Sequence, residues 1–319
     1  LSRQRGRGGS AESMKLFKSI NKKGARIACA VLAIVVAVGV AIPLLAQAGV
    51  IPQKEAVQSG VTVYKNSKAT VDASNLPLGF VSVSYTGGKD VRIKVQITKT
   101  GGTTYTYNLN NKGTAETFPL TEGDGKYTVK VFENTRGTKY AQAYSCSLDL
   151  KLTSEFSPFL YSNQYVNFSD DSKVVAKAAE LTKGLTTDLD KVTEIYHYVI
   201  NNITYDYQLA ATVASGYLPD VDAVLESGKG ICFDYAAVMS SMLRSQNIPC
   251  KLIVGYAGTV YHAWINVYIE GVGWVDHLIY FNGEDWSMMD PTFVSNGKNN
   301  PAVLKYVGDG TNYTEKCAY

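Results

Sequence analysis

Three residues of this chain carry side chains and surroundings suited to nucleophilic catalysis. Cys232 lies in Gly228-Lys229-Gly230-Ile231-Cys232-Phe233-Asp234-Tyr235-Ala236, directly ahead of a helix-patterned stretch. His262 comes next in His262-Ala263-Trp264, and Asp290 in Asp290-Pro291-Thr292. A thiol, an imidazole and a carboxylate in that order are the parts of a cysteine nucleophile site. The first turn of a helix offers unpaired N–H groups and a positive dipole end, which favour the thiolate. An imidazole in reach takes the thiol proton and later delivers it to the leaving group. A carboxylate on the far ring nitrogen fixes the tautomer. Backbone N–H groups around Cys232 can receive the developing oxyanion, and Tyr205 and Gln208 are candidates for a second donor.

Periodicity reveals the helices and strands that hold these groups. From Cys232 a helix is predicted to run to about Ser245, burying Ala236, Val238, Met239, Met242 and Leu243. Asn247 tolerates the left-handed conformation where that helix must stop, and Ile248-Pro249 forces an extended exit. Strands are predicted at 251–256, 261–269, from Trp274 onward and at 286–290. On the second, Ala263, Ile265, Val267 and Ile269 share one face, and His262, Trp264, Asn266 and Tyr268 share the other. Upstream, helices are predicted at about 172–182, with Ser172 as cap, at about 187–202, and near 220–225. A helix opening onto an antiparallel sheet is an α+β arrangement. Residues 61–152 read differently. Gly-rich breaks separate alternating runs such as Val91–Ile97 and Tyr127–Phe132, the pattern of a small antiparallel sandwich.

Other chemistries find little support. Gly228-x-Gly230 lacks the Gly-x4-Gly-Lys-Ser/Thr pattern of a phosphate loop. Three histidines at 197, 262 and 277 show no metal-ligand spacing, and no acidic calcium loop is present, so neither a metal nor a cofactor is expected. Cys250 reads as a small buried hydrophobe. With Cys232 set aside, Cys146, Cys250 and Cys317 allow at most one bridge, of which Cys146 with Cys317 is conceivable.

Of the 319 residues, 45% are apolar and 18% charged, which suits a packed core. The formal net charge of +3 misleads. Residues 1–48 hold eight Lys/Arg and one acidic residue, leaving 23 basic against 27 acidic thereafter. No basic stripe remains, and nucleic acid is not an expected partner. Residues 1–48 read as a leader: an Arg- and Gly-rich extension, a cationic stretch from Met14, an apolar run from Ile27 to Leu45, and Ala46-Gln47-Ala48 as a cleavage signature. A cleaved signal peptide is favoured over a membrane anchor. Either way the remainder is expected outside the cytoplasm, secreted or at the cell surface. The expected organisation is leader 1–48, β-sandwich-like accessory domain 49–155 and catalytic domain 156–319.

Together, Gly230-Ile-Cys232-Phe-Asp234-Tyr235-Ala236, Leu243-Arg244-Ser-Gln-Asn-Ile248-Pro249, Gly255-Tyr256, His262-Ala263-Trp264, Trp274 and Asp290-Pro291-Thr292 resemble the transglutaminase-like superfamily over roughly residues 170–295. The resemblance implies a papain-like core, with Cys232 as nucleophile, His262 as general base and acid, and Asp290 as orienting carboxylate. Asp234 and Tyr235 match positions that support the helix start. It also implies attack on a peptide or protein amide through a thioester, resolved by water or by an amine. One departure is the long stretch from His262 to Asp290. Residues 275–285 read as an inserted hairpin, and Asp276 competes as third member. The alternative function is a surface binding or scaffold protein that keeps the fold without turnover.

Overall fold

A computed structural model of the protein describes residues 56–257, 259–281, 286–288 and 313–319. The leader and Asp290 lie outside the described residues. Among the described residues, no helix is long and apolar enough to cross a membrane.

Alternation builds the first part of the chain. Strands β1 (Val63–Lys65), β2 (Ala69–Asp72), β3 (Phe80–Tyr85), β4 (Ile93–Lys99), β5 (Thr104–Leu109), β6 (Glu116–Pro119), β7 (Gly125–Arg136) and β8 (Lys139–Leu150) form two antiparallel sheets. Their orders are β1-β2-β3-β6 and β5-β4-β7-β8. Ile93, Val95 and Ile97 of β4 are buried beside Tyr127, Val129 and Val131 of β7, while the intervening residues are half-buried. One face of each strand therefore builds the core, as the period-two pattern requires.

Helices α1 (Lys173–Leu181), α2 (Asp188–Asn202), α3 (Tyr207–Thr212), α4 (Val221–Ser227) and α5 (Cys232–Ser245) come next, interrupted by β9 (Thr204–Tyr205) and β10 (Lys229–Gly230), which pair in parallel. A five-stranded sheet completes the fold, ordered β14-β13-β12-β11-β15, from β11 (Cys250–Ala257), β12 (Val260–Ile269), β13 (Gly273–Phe281), β14 (Trp286–Met288) and β15 (Tyr313–Ala318). This is the α+β architecture with a preceding all-β region that the sequence predicts.

α5 is the centre of the second part. Every residue from Asp234 to Ser245 is buried, so this helix is enclosed on all sides rather than amphipathic. Each fully buried Val, Met or Leu there contributes about 1.5–3 kcal/mol of transfer free energy. Asn247 has φ 63°, and the N–H of Ile248 donates to the carbonyl of Leu243, closing a Schellman-type end. Arg244, fully buried, ties this helix to three other segments. Its guanidinium donates to the carbonyls of Cys250, Tyr161 and Tyr319, with burial lowering its pKa to about 10.

The two parts pack within one compact unit from Pro52 to Tyr319. Tyr105 and Tyr107 on β5 meet Tyr319, which also contacts Tyr165 at 4.4 Å, and Tyr165 in turn meets Phe233 on α5. This aromatic chain joins the sandwich to the start of the central helix.

Three expectations need correction. Cys146 and Cys317 are both free, so no bridge joins them. Ser172 stands at the N-cap of α1 without a side-chain cap bond. The carboxylate of Asp222, from α4, accepts the N–H groups of Lys173 and Val174 instead. Residues 275–281 are no separate hairpin but the continuation of β13. Ile265 pairs with Ile279 and Val267 with Val275, so four residues of β13 oppose two of β12 and the excess length goes into a bulge.

Candidate active site

The turn before Cys232 is built by glycine. α4, capped by Asp220, ends at Gly228 in the left-handed region (φ 61°). A Cβ there would also lie 2.9 Å from the Asn202 carbonyl oxygen. The chain then runs beside β9, with the Thr204 N–H on the Gly228 carbonyl and the Asp206 N–H on the Gly230 carbonyl. A Cβ on Gly230 would sit 2.7 Å from the Cβ of Asp234. The missing side chain lets Asp234, wholly buried at the third position of α5, accept the Ile231 N–H at 2.8 Å. Its other oxygen accepts the Tyr217 hydroxyl at 2.7 Å. Burial raises the Asp234 pKa, and those two bonds oppose the rise. The Tyr235 hydroxyl donates to the Ile203 carbonyl. Asp234 and Tyr235 thus hold the helix start.

Cys232 opens that helix, half-buried. Burial is the largest influence on its thiol and raises the pKa. Hydrogen bonds from the N–H groups of Ala263, of Phe233 and of Cys232 itself oppose it. The Ala263 bond brings the sulfur to β12 immediately beside His262. A sulfur at hydrogen-bond range of that nitrogen lies within about 6–7 Å of the His262 Cα, a span an imidazole covers by choice of rotamer.

His262 pairs across β11 with Gly255, whose missing side chain matters. A Cβ at 255 would lie 2.1 Å from the Thr314 carbonyl oxygen and 2.8 Å from the Trp264 ring. By strand alternation the His262 ring shares its face with Trp264, on which it stacks at 6.4 Å, whereas Ala263, Ile265, Val267 and Ile269 belong to the core around α5. The ring is 7% exposed, and burial lowers its pKa to about 4. Its Nε2 is buried with no hydrogen-bond partner among the described residues. A buried donor or acceptor in this state is costly, and an orienting carboxylate is the group that would satisfy it.

Asp276 is not at that position. It comes directly after Val275, which pairs with Val267. Five residues of β12, about 16 Å of strand, separate that pair from His262. Asp276 is exposed, and its charge acts on Lys251. Of the proposed second donors, Gln208 is exposed on α3, whereas the Tyr205 hydroxyl accepts the Cys232 N–H and feels the thiol's charge. His197 is exposed on α2, and Cys250 is fully buried, its thiol pushed up to about 11 by burial. Among the described residues, no group of three potential ligands could hold a metal ion.

Residues 175–277 match the family model of the transglutaminase-like superfamily. The segment is a transglutaminase-like core. It contains Cys232 and His262 and ends before Asp290. The chain is also 25% identical over 189 residues to the uncharacterized protein YebA of Bacillus subtilis, covering 52% of this chain and 25% of that protein. It is 30% identical over 138 residues to a UPF0252 protein of Methanocaldococcus jannaschii, covering 38% and 39% respectively. Thus the similarity spans well under half of either relative. Among solved structures, a protein of Cytophaga hutchinsonii provisionally named a cysteine protease superposes with a TM-score of 0.37 at 16% identity, covering 81% of this chain and 74% of that one. Red sea bream transglutaminase gives 0.26 at 14% identity, covering 67% and 48%. These superpositions are loose, and the transglutaminase-like core is defined here by the matched segment.

Proposed function

We propose that the chain is an exported thiol enzyme acting on peptide or protein amides, as peptidase, amidase or protein-glutamine acyltransferase. The hydrogen bond from the Ala263 N–H to the Cys232 sulfur carries this reading, because it joins the start of the central helix to the strand of the imidazole. In the reaction His262 takes the thiol proton while sulfur attacks the amide carbon. Collapse of the tetrahedral intermediate expels the amine, which leaves with the proton from His262, and a thioester remains on Cys232. Water or a second amine then resolves it. Asp290 is the proposed partner of the orphaned Nε2. A peptide or protein of the cell envelope is the proposed substrate, with the leader as the basis for export.

The experiment is incubation with a glutamine peptide, with and without a labelled primary amine, followed by mass spectrometry. A Cys232 thioester adduct supports the enzyme. Label incorporation then identifies an acyltransferase, and ammonia or peptide release alone a hydrolase. A second reading, a cell-surface binding or scaffold protein, is favoured by the resting electrostatics. Burial holds the thiol protonated and the imidazole neutral. No adduct on Cys232 with any amide substrate would support that reading.

A further inference from the structure

An oxyanion formed at Cys232 needs donors aimed at one point, and the backbone N–H of Cys232 is the first. That N–H is not empty at rest. It donates to the phenolic oxygen of Tyr205, so this oxygen occupies the place where a substrate carbonyl oxygen would be received. Strand register puts it there: Tyr205 pairs with Gly230, two residues before Cys232, and the Asp206 N–H on the Gly230 carbonyl locks the register. The ring meets Tyr207 edge-on at 5.0 Å, and the side chain is half-buried, so it can yield without leaving the site.

Resting on the thiol-enzyme reading, we propose that Tyr205 is a catalytic residue, whose hydroxyl gives up the Cys232 N–H to the substrate carbonyl and then donates its own hydrogen bond to the same oxygen. When the sulfur–carbon bond forms, the carbonyl π pair moves to that oxygen. The Cys232 N–H and the Tyr205 O–H then stabilise the negative charge without transferring a proton. Burial keeps the phenol protonated, with its pKa pushed up to about 12, so it remains a donor throughout the neutral range. When the intermediate collapses, the pair returns to the carbonyl and the amine departs with the proton held by His262.

Two reagents separate this role from others. Iodoacetamide alkylates sulfur by displacement at a CH2 group and develops no oxyanion. p-Nitrophenyl acetate acylates sulfur through a tetrahedral oxyanion. Both rates are measured at Cys232 in the full chain, with Cys232→Ala as the blank for the other thiols. Tyr205→Phe is expected to slow acylation by about 10²-fold and to leave alkylation unchanged or faster. An equal fall in both rates would mean that Tyr205 only holds the helix start, and unchanged or faster acylation that it only blocks the site. Either overturns the proposal. Should Tyr205→Phe fail to fold, 3,5-difluorotyrosine at 205 keeps the ring and strengthens the donor. Acylation should then rise relative to alkylation, and an unchanged ratio overturns the proposal. If the thiol-enzyme reading itself is wrong, the unmodified protein acylates no faster than the Cys232→Ala blank, a failure visible before any Tyr205 variant is compared.

Discussion

Replacing Asp234 by asparagine should be nearly harmless, although the carboxylate is wholly buried at the mouth of the site. Its two oxygens accept one bond each, from the Ile231 N–H and the Tyr217 hydroxyl. An asparagine can keep both. Its oxygen accepts from Ile231, and its NH2 donates to Tyr217, whose hydroxyl turns round to accept. The substitution also removes a buried charge that the fold disfavours. Asp234→Ala has no such escape. It leaves a buried N–H and a buried hydroxyl unsatisfied and opens a small cavity, costing about 2–4 kcal/mol. The raised pKa sets the sign with pH. A carboxyl whose folded pKa exceeds its unfolded value binds protons more readily when folded, so it contributes stability at low pH. That contribution is lost as pH rises from the ordinary value of 3.8 through the folded one. Asp234→Asn lacks this loss, so its advantage over the parent should grow across that window. Urea denaturation at several pH values, with Cys232 alkylation as a check on the helix start, measures both effects. An asparagine variant as damaged as the alanine variant would mean that the charge itself, not the two bonds, holds the helix start.

Three further outcomes are expected. Gly255→Ala forces a Cβ onto a paired strand's carbonyl that cannot swing aside, so a loss of about 3 kcal/mol and a melting point lower by about 6–12 °C should be seen by calorimetry. Arg244→Met strands the carbonyls of Cys250, Tyr161 and Tyr319 without a donor and should cost about 3–5 kcal/mol in urea titrations. His262 is held neutral by burial, with a pKa of about 4 against an ordinary 6.5. The unfolded chain therefore binds its proton first, and stability should fall by roughly 3 kcal/mol as pH drops from 6.5 to 4. His262→Gln should flatten that part of the curve in acid titrations followed by circular dichroism.

What the sequence reveals and what it hides divide along locality. α5 spans the predicted residues, because its cap, its apolar content and its Asn247 stop all act within a few positions. β12 alternates as its pattern requires. α3 is absent from the prediction, since six residues after one Asp cap give no usable period. Asp206 accepting the Leu209 N–H nonetheless holds that helix. The α1 cap comes from Asp222, nearly fifty residues away, and no local rule reports it. The same holds for Tyr205. Its proximity to Cys232 depends on a two-residue parallel pairing between segments 25 residues apart. The bulge in β13 explains the apparent insertion before Asp290, since a bulge leaves no mark of its own in sequence.

The enzyme reading stands or falls on the Cys232 thiol and the His262 imidazole acting as a pair. The decisive quantity is the rate of Cys232 alkylation by iodoacetamide, followed from pH 4 to 10 with and without His262→Ala. A working pair gives a rate that already rises through the low imidazole pKa, holds a shoulder across neutral pH, and loses that shoulder in the variant. A single rise at the pKa of an isolated thiol, identical in both proteins, would rule the pair out.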